Sequence, residues 1–218
     1  MSSRRFAHLD PERPVVEQLR ERVAAMERRP ADERVPTLPA LAEFLPLHAG
    51  ATYAVDSASL ALAVAAGASK AGEWVGFAGC PDFGAEAAAE LGIELSRTVL
   101  VPDPGEHWLE VTAALVDVLR VVVLRPPASV DERAASILDS RLRNRSAVLV
   151  VQGSWPRVEA RLSTEESAWS GPAAGTGQLE HRRAEVVVHR RARPSRGVSL
   201  TWPGVHLVDR PDLRQATG

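Results

Sequence analysis

The sequence predicts an α/β fold: a mostly parallel sheet flanked by helices, a C-terminal antiparallel β extension and an N-terminal helical arm. Three observations carry this expectation. Short apolar, often β-branched runs recur at 51–55 ("ATYAV"), 73–78 ("EWVGFA"), 98–101 ("TVLV"), 120–124 ("RVVVL") and 147–151 ("AVLVV"), with helical patterns between them. The runs are apolar nearly throughout, as in strands covered on both faces. After residue 155 the helical period disappears, and two strand-like pieces, 158–170 and 178–191, flank the glycine-bearing segment Gly171–Gly177. The expected divisions are an arm over 1–47, an α/β core over 48–157, the β extension over 158–203 and a polar tail over 204–218.

Taken in order, residues 10–29 read as a helix. Asp10 suits the N-cap and Pro11 the first helical position. Val16, Leu19, Val23 and Met26 form a narrow apolar stripe that can dock on the parent domain or on another chain. Pro30, Pro36, Pro39 and Pro46 argue against a long helix over 30–50, so this stretch reads as a connecting arm whose "LPALAEFLPL" packs against something. In the core, 51–67 reads as strand, polar turn and helix, with the helical pattern starting at Leu60. Glu106 and His107 open a helix. In the helix over 130–142, Val130, Ala134, Ile137, Leu138 and Leu142 share a face, and Ser129 with Glu132 reads as a capping box. "GVSLTW" (197–202) adds a last strand.

Composition narrows the function classes. The chain has 218 residues, 45% of them hydrophobic, enough for a buried core with small appendages. No apolar run reaches membrane-spanning length, and "MSSRRFAHLDPERP" lacks the apolar segment of a secretory signal. Cys80 is the only cysteine, which excludes an internal disulfide and a cysteine zinc cluster and fits a reducing cytoplasm. A net charge of −2 gives no global attraction to DNA or acidic membranes. Lys70 is the sole lysine, so arginine here is a compositional habit and not evidence of bidentate contacts. Residues 181–196 hold six arginines against one glutamate, which reads either as a solvated strand face or as a surface for nucleic acid or an acidic partner.

Catalytic sets are sparse. A phosphate loop needs glycines, a lysine and a magnesium-binding hydroxyl. The turn Asp56-Ser57-Ala58-Ser59 has neither glycine nor lysine, and Ser57 or Ser59 reads as a helix cap. Arg125 follows the strand "VVVL", where a magnesium-binding acid would stand. The six histidines show no metal-ligand spacing, "QGSWP" lacks the second glycine of a nucleophile elbow, and Cys80 reads as a small buried filler. Core or hairpin packing accounts for most of the tryptophans; Trp169, beside the arginine-rich strand, is the one that reads as a ligand or partner contact.

Residues 88–111, "AAELGIELSRTVLVPDPGEHWLEV", resemble the segment after the second core strand of RecA recombinases. The match runs through Leu91-Gly92-Ile93, Pro102-Asp103, Gly105-Glu106 and Leu109-Glu110. "RAEVVVHRRARP" (183–194) is similar to that family's last core strand and basic segment, so the likeness spans about residues 50–200. The functional positions do not carry over. The Gly-Lys-Thr of the phosphate loop has no counterpart in 56–59; the catalytic glutamate falls near Cys80 or Pro81 and the adenine-stacking tyrosine near Ala87. The Walker B aspartate falls near Arg125 and the nucleotide-sensing glutamine near Gln152 or Gly153. The two DNA-contacting loops shrink to 125–129 and 153–157.

A proline-rich lead-in, "LGIELSR", "GSWP" and a Trp-Ser-Gly hairpin with "GTGQLEHRR" resemble the ImuA-type mutagenesis accessory proteins, in their actinobacterial ImuA-prime form. That resemblance implies a RecA-like pseudo-ATPase without cofactor or enzymatic activity. It also implies a cytoplasmic adaptor of damage-induced translesion synthesis, nucleoid-associated on damage. Its implied partners are ImuB, a catalytically inactive Y-family polymerase homologue, and through it the error-prone C-family polymerase and the sliding clamp. Self-association and direct DNA contact stay open. Three other readings stand beside it. One is single-stranded DNA binding through Arg182, Arg183, Arg190, Arg191 and Arg193, although alternation splits these between two faces. Another is a SulA-like cell-division inhibitor, which would cause filamentation without DNA damage. The third is a surviving ATPase, which tight binding of ATP and magnesium would reveal.

Overall fold

The computed structural model describes residues 33–171, 180–191, 193–203 and 205–208. The helix expected over 10–29, with Val16, Leu19, Val23 and Met26, lies outside the described residues.

The expected α/β class is found. Among the described residues nine strands form one sheet and two more a small ribbon. The ribbon pairs β1 (Arg34–Val35) antiparallel with β2 (Leu47–His48) and encloses a one-turn helix, α1 (Pro39–Ala42). The sheet begins with β3 (Thr52–Val55), followed by helix α2 (Ala58–Lys70). Next come β4 (Val75–Ala78), α3 (Ala85–Leu91), β5 (Thr98–Val101) and α4 (Trp108–Val118). Then follow β6 (Val121–Leu124), α5 (Glu132–Arg145) and β7 (Val148–Gln152). The extension is β8 (Ala160–Ser170), β9 (His181–Arg190), β10 (Arg193–Trp202) and β11 (His206–Val208).

The strand order is β11-β10-β9-β8-β3-β7-β6-β4-β5. All pairings from β8 to β5 are parallel, and those from β8 to β11 are antiparallel. This refines the expectation that the whole of 158–203 is antiparallel. Strand β8 follows β3 in parallel, then carries β9 on its other edge. It is the hinge between the two sheet types. Strand β11 falls in the stretch expected to be a loose tail; its three residues extend the sheet by pairing with Ser199–Thr201.

Two cores sandwich the parallel sheet. On one face Tyr53, Val55, Phe77, Val123 and Val150 pack with α2, α3 and the 35–47 segment. On the other, Val122, Leu124, Leu149 and Val151 pack with α4 and α5. Strands alternating between two apolar layers read as continuous apolar runs, which is why they were visible in the sequence. Helix α2 is buried from Leu60 through Ser69, nearly all round. Its alanines let it lie close to the sheet below and to the chain above.

The proline-rich stretch is not a connecting arm beyond Arg34. Val35, Leu38, Leu41, Phe44, Leu45 and Leu47 are all buried in the first core. The prolines break the stretch into short pieces that cap this face of the sheet. The Tyr53 hydroxyl fastens them, donating to the Pro46 carbonyl at 3.1 Å and accepting from the His48 amide at 2.9 Å. Helix α5 also differs from expectation. Asp131 is its N-cap, accepting from the Ala134 amide at 2.7 Å, and its buried face is Ala135, Leu138 and Leu142, with Ile137 exposed. No helix among the described residues is long and apolar enough to cross a membrane.

Candidate functional site

In sheets of this kind ligands settle at the carboxyl ends of the strands, where the order reverses. Four strand ends meet there: β3 with the turn Asp56-Ser57, β7 with Gln152, β6 with Arg125, and β4 with Gly79–Asp82.

The turn after β3 is shorter than the helical pattern suggested. Helix α2 starts at Ala58, and extended Ser57 (φ −141°, ψ 152°) caps it by accepting from the Leu60 amide at 3.4 Å. Only Asp56 and Ser57 separate strand from helix, so no loop remains to wrap a phosphate. Asp56 turns towards the hinge strand, accepting from the Thr164 amide at 2.6 Å and the Thr164 hydroxyl at 3.4 Å. A carboxylate in this turn repels a phosphate. Ser59 accepts from Arg182 Nη1 at 2.9 Å. That guanidinium lies 6.0 Å from the Trp169 ring centroid and 5.6 Å from that of Trp202, within cation–π range of both. The cation bonded to Ser59 is thus already held by two indoles and a serine.

The neighbouring strand ends are also occupied by the chain itself. Arg125 forms a two-pronged ion pair with Asp82, at 2.8 and 3.1 Å, and its Nε donates to the side-chain amide oxygen Oε1 of Gln152 at 3.1 Å. The hydrogen bond from Arg125 holds the Asp82 carboxyl below the ordinary aspartate range. Gly79 (φ +70°) makes the close approach possible: a Cβ there would stand 2.1 Å from the Arg125 carbonyl oxygen. Cys80 is buried beneath, donating weakly to the Ala78 carbonyl at 3.6 Å. Burial pushes its thiol up against a smaller opposing pull from Arg125, which disfavours the thiolate a nucleophile needs. The void between Ala58, Phe77, Cys80, Phe83, Val123 and Gln152 measures about 30 Å³, room for a water and not for a nucleotide. Among the described residues no cluster of histidine, cysteine or carboxylate side chains could hold a metal ion.

Within β9 the arginines separate as alternation predicts. Arg182 and Arg190 lie on the core side; Arg190 Nη2 donates to the Phe44 carbonyl at 2.5 Å. Arg183 and Arg191 are exposed. Arg193 opens β10, paired with Arg190. Trp155 and Trp202 are buried, and Trp169 is 57% exposed. Sequence reasoning did not single out Asp82 or Thr164. Asp82 sits in "CPDFG", one residue beyond the position compared with a catalytic glutamate, and its role emerges only from the partner that β6 brings to it.

Fold and site together define a doubly wound α/β domain whose phosphate-loop position is filled by its own Asp56, Ser57 and Arg182. The chain belongs to the family described as the MT3502 N-terminal domain, whose model matches residues 40–157. It is 33% identical over 137 residues to the uncharacterized protein Rv3395c of Mycobacterium tuberculosis, covering 59% of this chain and 67% of that one.

Proposed function

We propose that the chain is a non-catalytic adaptor of ImuA-prime type, a RecA-like pseudo-ATPase that binds ImuB and helps assemble the error-prone polymerase complex in damage-induced translesion synthesis. The observation that carries the reading is the closed phosphate position. The turn is two residues long, an aspartate stands in it, and the end of β6, two strands away, bears Arg125 paired to Asp82 and Gln152. ATP hydrolysis requires a cradle for the phosphates and a ligand for magnesium, and these residues supply neither. What such a scaffold still offers a partner is its surface. The motifs "LGIELSR" and "GSWP" and membership of a family with a mycobacterial relative support placing it with ImuA-prime proteins.

The test is co-purification of the full chain with ImuB and with the error-prone C-family polymerase, alongside titration with ATP and magnesium. The reading expects a complex containing ImuB and no measurable heat from ATP. Tight ATP binding would overturn the pseudo-ATPase, and loss of ImuB from every preparation would overturn the adaptor.

A further inference from the structure

We infer that the outward face of the antiparallel extension binds a nucleic-acid strand through its phosphates, with Arg183, His181 and His206 as the contacting groups. The register sets Ala168, Arg183 and Thr201 side by side across three strands, Ser170 opposite His181, and His206 opposite Thr201. Alternation places all six on one face, opposite the one where Ala184, Val186 and Val188 enter the core. Ala168, Ser170, His181, Arg183 and His206 are exposed. A groove of about 600 Å³ crosses this face, rimmed by Trp169 and Pro203.

Charge selects the occupant. The titratable groups lining the groove are one guanidinium and two imidazoles, with no carboxylate. The nearest acids on the same face, Glu185 and its cross-strand partner Glu166, stand two residues further along, and Glu185 accepts from the Ser199 hydroxyl. They bound the patch on that side. The Trp169 ring belongs to the opposite face, against Arg182, so the groove has no stacking platform of its own. Recognition through phosphates alone is independent of sequence. Arg182 and Arg190 take no part, because both are held by the protein's own groups. With a net charge of −2 the attraction is local to this face. The inference stands independently of the adaptor reading.

The test is fluorescence anisotropy of a labelled oligothymidylate with the full chain over a salt series. One guanidinium contact predicts a log–log salt slope of about −0.7. R183Q should weaken binding several-fold and flatten the slope by about 0.7. H181A/H206A should weaken binding by removing hydrogen bonds and leave the slope unchanged, and K70Q, outside the groove, should match the parent. Circular dichroism confirms that each variant is folded. Absence of binding at the lowest salt, an R183Q variant that binds like the parent, or displacement by polyglutamate as effective as by unlabelled oligonucleotide would each overturn the inference.

Discussion

At the scale of single residues, Arg125 shows how one strand end of the carboxyl edge is occupied by the chain's own groups. It stands at the carboxyl end of β6, and instead of leaving a cation facing solvent the fold supplies Asp82 and Gln152 to hold it. The consequence for pH has a definite sign. Asp82 titrates lower in the folded protein than in the unfolded chain, so its contribution is present above the unfolded aspartate value. It is lost as the pH falls below about 4 and through the lowered folded value. D82N should therefore melt below the parent at neutral pH, and the two melting temperatures should converge in acid. A gap that persists unchanged to pH 3 would assign the loss to something other than this carboxylate. The sequence already showed that Arg125 is no metal ligand. It could not show Asp82, because the pairing joins residues 43 positions apart and depends on β4 and β6 being neighbours.

At the scale of elements, the helices show where local signals suffice and where they mislead. Ser129 and Glu132 have the spacing of a capping box, yet Asp131 is the cap, because its carboxylate reaches the Ala134 amide and the helix begins one residue later. D131A should cost about 1 kcal/mol and S129A less than about 0.5 kcal/mol, read from urea unfolding. Equal losses would contradict the assignment. Gly67 makes the opposite point. A glycine in the middle of α2 is locally unfavourable by about 1 kcal/mol relative to alanine. It is there because the backbone of Thr37 crosses α2 at that position, where a Cβ would stand 2.3 Å from Thr37 Cα. G67A should gain helix propensity and still lose roughly 1–3 kcal/mol by pushing the 34–47 segment off the helix. A stabilised G67A would show that this segment is loosely held. No pattern within 58–70 announces that contact, since its cause lies in a different stretch of the chain.

At the scale of the whole molecule, the alternation of strands and helices was legible because each parallel strand is buried on both sides and so is uniformly apolar. The segment before it was half legible: its apolar "LPALAEFLPL" packs as expected, but the prolines suggested a connecting arm and not a part of the core. Val35, Leu38, Leu41, Phe44 and Leu45 each have relative exposures of 3% or less. At about 1.5–3 kcal/mol per fully buried side chain, these five contribute roughly 7–15 kcal/mol, which is comparable to the entire stability of a domain. The strand face beneath them, with Tyr53 and Leu162, would be laid open to water without them. This decides how the role of the N-terminal arm in partner binding must be tested. Deleting residues 1–46 removes part of the core along with the arm, and a lost interaction would then report unfolding. Deleting residues 1–33 leaves every buried residue named here in the chain. The 1–33 deletion should melt cooperatively, and the 1–46 deletion should aggregate or lack a cooperative transition. Only the former can show whether Val16, Leu19, Val23 and Met26 hold a partner. A 1–46 deletion that melts like the parent would mean that the proline-rich segment is dispensable to the core and that its burial contributes far less than its area implies.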